Sequence, residues 1–517
     1  MTPSDTDVTL DAALDPLVVA LDIGSTATRG GVHDASGRRV HGLQHKVGHA
    51  FTVAPDGTSV IDPEQVTAEV GEVLDAVAGD RRLGTRIAGV AMDTFAASLI
   101  GVDAAGRALT PCLTYADSRS ADAVAALREE LDEHAVQQRT GTRLHTSYHV
   151  PRLRWLAATQ PRVFAEAASW WSLGEFIWAR LIGQPLAGTS TMAWTGLLDR
   201  RTGELDAELL SAAGVGAERF SGPRDPAQPA SPQAPARWPA LARAGWFPVI
   251  TDGFASNIGA GALDATVLTA ATATSGALRV LLEGAADPLP FGLWNYRVSK
   301  DRTLLGGAIN DVGRAVSWAQ STLRLSPAIA PVLSAPPSDA TPLVLPYLTG
   351  ERAPGWVGGA RAVFGGVSAA TDADALFRGI VEGVAMTYAR VADELHPAAP
   401  QIVEVAAAGR VSNDQPEWLQ ILADVLGQPV THVTRRRATQ RGTALLALDA
   451  LAPDEPRAPR ATGATYEPRA EHAGYYEERR RRFAEAYERF VAVQREDRRQ
   501  PADAGPDAAA SPWVMRR

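Results

Sequence analysis

The sequence predicts an α/β protein made of two related halves, and three patterns predict it. Near the start, residues 17–21 form a buried-strand candidate, residues 22–26 a tight turn, and residues 29–33 a second strand. A like unit recurs in the second half: 266–270 is apolar, 271–276 is a turn of small residues, and 277–282 is apolar again. Farther on, apolar residues three or four apart mark amphipathic helices, and strands alternating with such helices indicate an α/β fold. A strand–turn–strand unit that appears twice points to a duplicated domain. The 517 residues suffice for two or three domains, each with its own core.

Taken in order, residues 1–16 are polar and acidic, and about 498–517 are rich in Ala, Pro and Asp, so both ends are expected to be disordered. Residues 34–37 (DASG) read as the next hairpin turn. The Pro-rich run 221–239 cannot propagate a helix or a central strand. It is either a linker or an extended surface segment late in the first half. A second Ser/Pro-rich break covers 333–341. Residues 376–395 carry Leu376, Ile380, Val384, Tyr388 and Val391 on one helical face. The next helix has Pro416 near its start, a stripe of Trp418, Leu419, Leu422 and Leu426, and Gly427 with Pro429 to stop it. The chain is expected to divide into a first domain over 17–250, a second over 251–450, and a C-terminal helix with a disordered tail over 451–517.

Charge excludes several partners. The net charge is −9 and charged residues make up 21%, which gives no electrostatic reason to expect nucleic acid or an anionic membrane. The dense basic runs are 435–437 and 479–482, and the second reads as the solvated face of a helix whose apolar stripe is Phe483, Tyr487, Phe490 and Val491. The single cysteine, Cys112, rules out an intramolecular disulfide, fits a reducing compartment and reads as packing. Asp5, Asp7, Asp11 and Asp15, with no basic or apolar leader, speak against a signal peptide. No apolar stretch approaches a membrane span. A cytoplasmic protein is expected.

Neither a G-x-x-x-x-G-K-[ST] loop nor a strand-linked G-x-G-x-x-G is present. In their place stands Asp22-Ile-Gly-Ser-Thr-Ala-Thr-Arg29. Such a hairpin turn can gather backbone N–H groups and the Ser25, Thr26 and Thr28 hydroxyls into a phosphate cradle, with Gly24 allowing close approach. Asp22, at a buried strand end, can hold hydrated Mg2+, a cation that prefers carboxylate and phosphate oxygens. A plain hairpin with a structural Asp is the alternative. His33, His41, His45, His49 and His432 show no metal-site spacing and read as surface or satisfied core residues.

Nine ordered motifs carry a resemblance. They are DIGSTATRG (22–30), TYADSR (114–119), TGTRLH (140–145), TDGFASNIG (251–259), ATSGA (273–277), GGAIN (306–310), PYLTGERAP (346–354), EGVAMTYARV (382–391) and AAGRVSNDQPEWLQILADVLG (407–427). In this order, over about 17–450, the chain resembles the FGGY carbohydrate kinases, most of all their gluconokinase-like branch. The resemblance implies two RNase-H-like domains of the actin-like ATPase fold, closing on a cleft that holds ATP, Mg2+ and a small sugar or sugar acid. A homodimer is left open.

The resemblance also implies residue roles. Asp252 matches the family's catalytic Asp and would be the general base at the attacking hydroxyl. It follows the apolar stretch 247–251 and precedes a helix expected from about Ser256, so an N-cap role is the alternative. The ATP side would comprise Gly24, Ser25, Thr26 and Arg29, then Thr274 and Ser275 of a second phosphate hairpin, then Gly313, Gly409 and Asn413. Asp22 would hold the metal. The sugar side would comprise Asp117, Arg119, His145 and Arg152 together with Asp252. Asp117 and Arg119 have a buried structural pair as their alternative, and Arg152 a surface salt bridge. The chain departs from the family pattern at Ala273 and Ala408, where glycine is usual, and at Asp93-Thr94-Phe95, where many members carry Met-His. Glu351 and Arg352 are left unassigned.

Because an arginine fork matches a carboxylate in two hydrogen bonds, Arg119 and Arg152 point to a sugar acid, gluconate first. Xylulose, ribulose or another polyol is the second reading. A non-catalytic nucleotide- or sugar-binding regulator is the third, and Asp22, Thr26 and Asp252 argue against it.

Overall fold

The structure, a computed structural model, describes residues 7–232, 236–434 and 437–495. The disorder expected at 1–6 and 498–517, and Arg435 and Arg436 of the first basic run, lie outside these residues.

The first half is built on strands β1 (Leu17–Ile23), β2 (Ala27–His33), β3 (Arg39–Gly48) and β4 (Ile87–Thr94). β1 is apolar and wholly buried because the sheet is covered on both faces. Helix α1 (Pro63–Ala78) starts with Asp62 capping the Glu64 N–H and a proline in its first turn, and it buries Val66, Val70, Val73, Leu74 and Val77. β3, β2 and β1 run antiparallel in succession, and β4 lies parallel to β1. Residues 7–16 depart from the expected disorder. Asp7–Val8 pairs with β3, its Arg39–Asp7 ion pair spans 2.6 Å, and Val8, Leu10 and Ala13 are buried.

The second half repeats this order. Helix α2 (Asp252–Gly259) leads into β5 (Val267–Thr272), β6 (Gly276–Glu283), β7 (Trp294–Arg297) and β8 (Arg302–Ile309). Helix α3 (Ala373–Leu395), β9 (Glu404–Ala408), α4 (Trp418–Leu426), β10 (Val430–Val433), α5 (Ala438–Leu451) and α6 (Ala473–Phe490) follow. The sheet order is β7, β8, β6, β5, β9, β10, with Thr462–Tyr466 at the edge; again a hairpin pair, a third antiparallel strand, and a parallel strand beside the first. The β5–β6 turn is tighter than expected, only 273–275, because both strands pair as far as Thr272 and Gly276.

Helices α2 and α5 cross between the sheets with backbones in contact. A Cβ on Gly259 would lie 1.8 Å from the Ala438 carbonyl, and one on Gly442 1.8 Å from the Ala255 carbonyl, so only glycine admits this crossing. Each sheet has its own core, and a third cluster joins them through Tyr148, Trp194, Leu281, Trp294, Tyr296 and Leu304.

Three further expectations change. The 221–239 run is the extended surface segment rather than a linker: Arg224 bridges Gly188 and Ala230 bridges Trp246, with 233–235 outside the described residues. Arg479 is buried rather than solvated, donating to the Thr341 and Pro342 carbonyls and pairing with Glu382. Phe490 leaves the apolar stripe and is 45% exposed, whereas Phe483, Tyr487 and Val491 are buried. Among the described residues, no helix is long and apolar enough to cross a membrane.

Candidate active site

The two hairpin turns of the duplicated sheets face one cavity of about 220 Å³. Ser25 comes from the first turn and Ser275 and Gly276 from the second; Asp252 and Gly253 lie at the start of α2. Phe95, Tyr115, Tyr148, Trp194, Trp294 and Tyr296 supply an aromatic wall. Trp194 stacks on Tyr296 at 3.6 Å between centroids, and the Tyr148 and Tyr296 hydroxyls are 2.6 Å apart, so residues of both halves fix the wall. A larger cavity, about 740 Å³, lies elsewhere in the second half and holds neither hairpin nor Asp252.

The first turn carries the acidic groups. Gly24 N–H donates to the Ala27 carbonyl at 3.1 Å, closing the turn. Asp22 stands opposite Asp93 across the parallel β1–β4 pair, and both are buried. Burial pushes both carboxyls up because it disfavours the charged form, and Asp93 goes well up because the Asp22 carboxylate adds repulsion. Arg29 works against this on Asp22 from 3.7 Å. Asp93 Oδ2 accepts from Thr443, whereas its buried Oδ1 has no hydrogen-bond partner among the described residues. Arg29 answers only part of this acidic pair, and the unanswered Asp93 oxygen fits Mg2+, a cation that prefers carboxylate and phosphate oxygens. Among the described residues no three His, Cys, Asp or Glu side chains converge as a full ligand set, which suits an ion held largely through water and phosphate.

Two clamps that the sequence did not disclose fix the turns. His49 bridges Gly24 O (2.8 Å from Nε2) and Glu69 (2.8 Å from Nδ1), and Glu69 also accepts from Thr28 at 2.8 Å. At the second turn Thr272 is hydrogen-bonded to Ser412, and Gly313 N–H donates to Ala273 O at 2.9 Å. Residues 273–275 are exposed at the turn. Gly409, at φ 147°, lies against the Thr272 backbone; a Cβ there would come within 2.6 Å, so only glycine fits. Asn413 is exposed and its side-chain oxygen accepts from His432 Nε2 at 3.0 Å.

Asp252 is the first residue of α2, which therefore begins four residues ahead of the expected Ser256; Thr251 is the N-cap. Its carboxylate accepts from Gly253 N–H at 2.7 Å. Burial, opposed by the Arg279 charge and aided by Asp22, pushes it up to about 6.

On the sugar side the expectations need correction. Arg152 is 0% exposed, and its guanidinium is consumed by the carbonyls of Ala97, Thr114 and Thr146. It holds three loops together and does not line the cavity. Arg119 is doubly hydrogen-bonded to buried Asp117 and lies 4.3 Å over Trp155, while Asp117 also accepts from Ser59 N–H at 3.0 Å. This is the buried structural pair. His145 stands behind Ser147 and Tyr148; its Nδ1 accepts the Ser147 N–H at 3.1 Å, and burial and nearby arginines push it down to about 3, so it is neutral. The arginines that do line the cavity are Arg279 and Arg352, which the sequence reading did not select. Cys112 is a buried free thiol that burial pushes up to about 12, in keeping with packing.

Residues 17–226 match the N-terminal domain, and 274–451 the C-terminal domain, of the FGGY family of carbohydrate kinases. A gluconokinase of Bacillus subtilis is 23% identical over 83% of this chain and 87% of its own length. A xylulose kinase of Escherichia coli is 25% identical over 84% of this chain and 91% of its own. Among solved structures, a gluconate kinase and a xylulose kinase, both of Lactobacillus acidophilus, each superpose with a TM-score of 0.86 at 24% identity, covering 93% of this chain and 99% of theirs. The shared fold is the actin-like ATPase arrangement of two sheet-containing domains.

Proposed function

The chain belongs to the FGGY family of carbohydrate kinases, and from that premise we propose that it transfers the γ-phosphoryl group of ATP to a hydroxyl of a sugar acid, gluconate first, giving 6-phosphogluconate. The observation that carries the phosphoryl-transfer reading is Asp252, and the likeness to the Bacillus subtilis gluconokinase favours gluconate. Asp252 is a carboxylate on the cavity shared by the two hairpins, faced by the Arg279 charge and pushed up by burial to about 6. A base so tuned is ionised near neutral pH yet basic enough to take the hydroxyl proton as the phosphoryl group departs.

Asp22, with Asp93 behind it, would hold Mg2+; when bound, the ion neutralises charge on the β- and γ-phosphates. Ser25 and Thr26 on one turn and Thr274 and Ser275 on the other would hold phosphate oxygens from opposite sides, with Arg29 adding charge. Gly313, Gly409 and Asn413 would border the adenosine. The aromatic wall excludes water that would otherwise accept the phosphoryl group. ATP as donor and a single buried thiol agree with a cytosolic setting.

The second reading is a ketose kinase, favoured by the likeness to the Escherichia coli xylulose kinase over a similar share of the chain. Steady-state ATP consumption with gluconate, xylulose, ribulose and glycerol separates the two. Gluconate is expected to exceed the others in kcat/KM by about tenfold or more, roughly 1.4 kcal/mol of discrimination. Preference for a neutral sugar would replace the gluconate reading with the ketose one. No turnover with any of them would favour a binding regulator.

A further inference from the structure

Two guanidiniums line the sugar cavity, and they differ in how their charge is answered. Arg279 and Asp252 are each the other's leading charge neighbour, so the base itself balances Arg279. Among the described residues, Arg352 has no such balance. Its Nε has no hydrogen-bond partner among the described residues, and its contact with Trp356 is a ring face 5.9 Å away. The adjacent carboxylate, Glu351, is already taken by Arg390 at 2.5 Å and by the Tyr487 hydroxyl at 2.5 Å.

The loop that presents Arg352 is rigid. Asp311 accepts from Thr349 through its backbone N–H and hydroxyl at 2.8 and 2.9 Å. Asn310 donates to the Gly350 carbonyl at 3.0 Å, and Ala353 N–H donates to Ala308 O at 3.0 Å. Trp356 is anchored by its Nε1–H to the Gly292 carbonyl at 2.8 Å. A cation held rigidly, partly out of water and without a counter-ion is costly unless a ligand completes it. Its charge falls on Tyr115, Tyr148 and Tyr296, which line the same cavity, and on His145 behind them.

We propose that Arg352 receives the carboxylate of the sugar acid, and is thereby the residue that separates acidic from neutral sugars at this site. The inference rests on the kinase reading for which molecule enters the cavity. The planar fork donates to both carboxylate oxygens, and neutral His145 adds no competing charge. The carboxylate then sits on Arg352 while the hydroxyl to be phosphorylated sits at Asp252, whose own negative charge, balanced by Arg279, repels a carboxylate from that end.

Calorimetric titration of the full chain without nucleotide tests this, using gluconate and xylonate against their carboxylate-free counterparts sorbitol and xylitol. Each acid is expected to bind at least about tenfold more tightly than its alditol, and Arg352→Met to erase that gap. Affinity for a non-hydrolysable ATP analogue should stay within about twofold in the variant, which keeps the site distinct from one for nucleotide phosphate. Arg352→Lys, which keeps the charge but not the fork, should narrow the gap partly, and it carries the test if the Met variant does not fold. Equal binding of acid and alditol by the wild type overturns the proposal, as does a gap that survives in the Arg352 variants. Loss of analogue affinity in place of the gap would assign the guanidinium to the nucleotide and overturn it as well. Turnover of neutral sugars with no acid preference would sink this inference alone, whereas absence of turnover with any sugar would sink the kinase reading.

Discussion

The two hairpin turns are products of one architecture, yet they carry opposite chemistry. In the first sheet the residue before the last antiparallel pair is Asp22, and across the parallel strand it faces Asp93. At the same register in the second sheet stand Ala271 and, across from it, Ala408. Two carboxylates have alanines as their counterparts. The clamps differ in the same sense: an imidazole bridged to a carboxylate holds the first turn, and a pair of hydroxyls holds the second. On the proposed reading, a duplicated fold yields two cradles for phosphate, and the acids would draw the metal to the first of them. The second would be left to grip the nucleotide.

The comparison breaks most sharply if the first turn can lose its acid without harm. Asp22→Asn is expected to lower kcat by about a hundredfold and raise the Mg2+ concentration needed for half-maximal rate, read from Mg2+ titrations of steady-state turnover. Loosening a clamp should be milder and should divide by hairpin. His49→Ala frees the Gly24 carbonyl and should lower kcat by about tenfold, with little change in gluconate KM. Ser412→Ala frees Thr272 and should raise the ATP KM by about threefold while leaving kcat nearly unchanged. If the two clamp variants gave the same kinetic signature, the division of labour would fail.

The smallest effect is on pH. Asp252 must be ionised to act as base and burial places its titration at about 6, so kcat/KM falls as pH drops through about 6 and is flat above it. Asp22 contributes to that upward push. Replacing it with Asn removes a negative neighbour and should move the residual acid limb to lower pH, measurable in a pH–rate profile.

Much of this asymmetry was legible in the sequence because it is local. The Asp22 turn, the second turn and the helix that ends at Gly427 are each set by a few adjacent residues; the helix lies where the pattern put it, and the second turn falls inside the expected 271–276 but is tighter. What was not legible depends on partners far along the chain. Arg119 and Arg152 looked available because sequence shows a guanidinium but not the carboxylate and the three carbonyls that consume it. Arg352 looked ordinary because only the fold shows that Glu351 turns to Arg390. His49 carried no motif, since its two partners come from positions 24 and 69. Residues 7–16 looked like a polar tail, and only pairing with β3 explains the apolar Val8 and Leu10 among the acids.

Asp252→Asn tests the central claim most directly, with kcat for gluconate and the dissociation constant of a non-hydrolysable ATP analogue measured on one preparation. The substitution removes the proton acceptor and nearly preserves shape, so kcat should fall about a hundredfold or more while the dissociation constant moves by less than about twofold. A variant that keeps most of its kcat, or that loses nucleotide affinity in proportion to its rate, would contradict the assignment of Asp252 as the base.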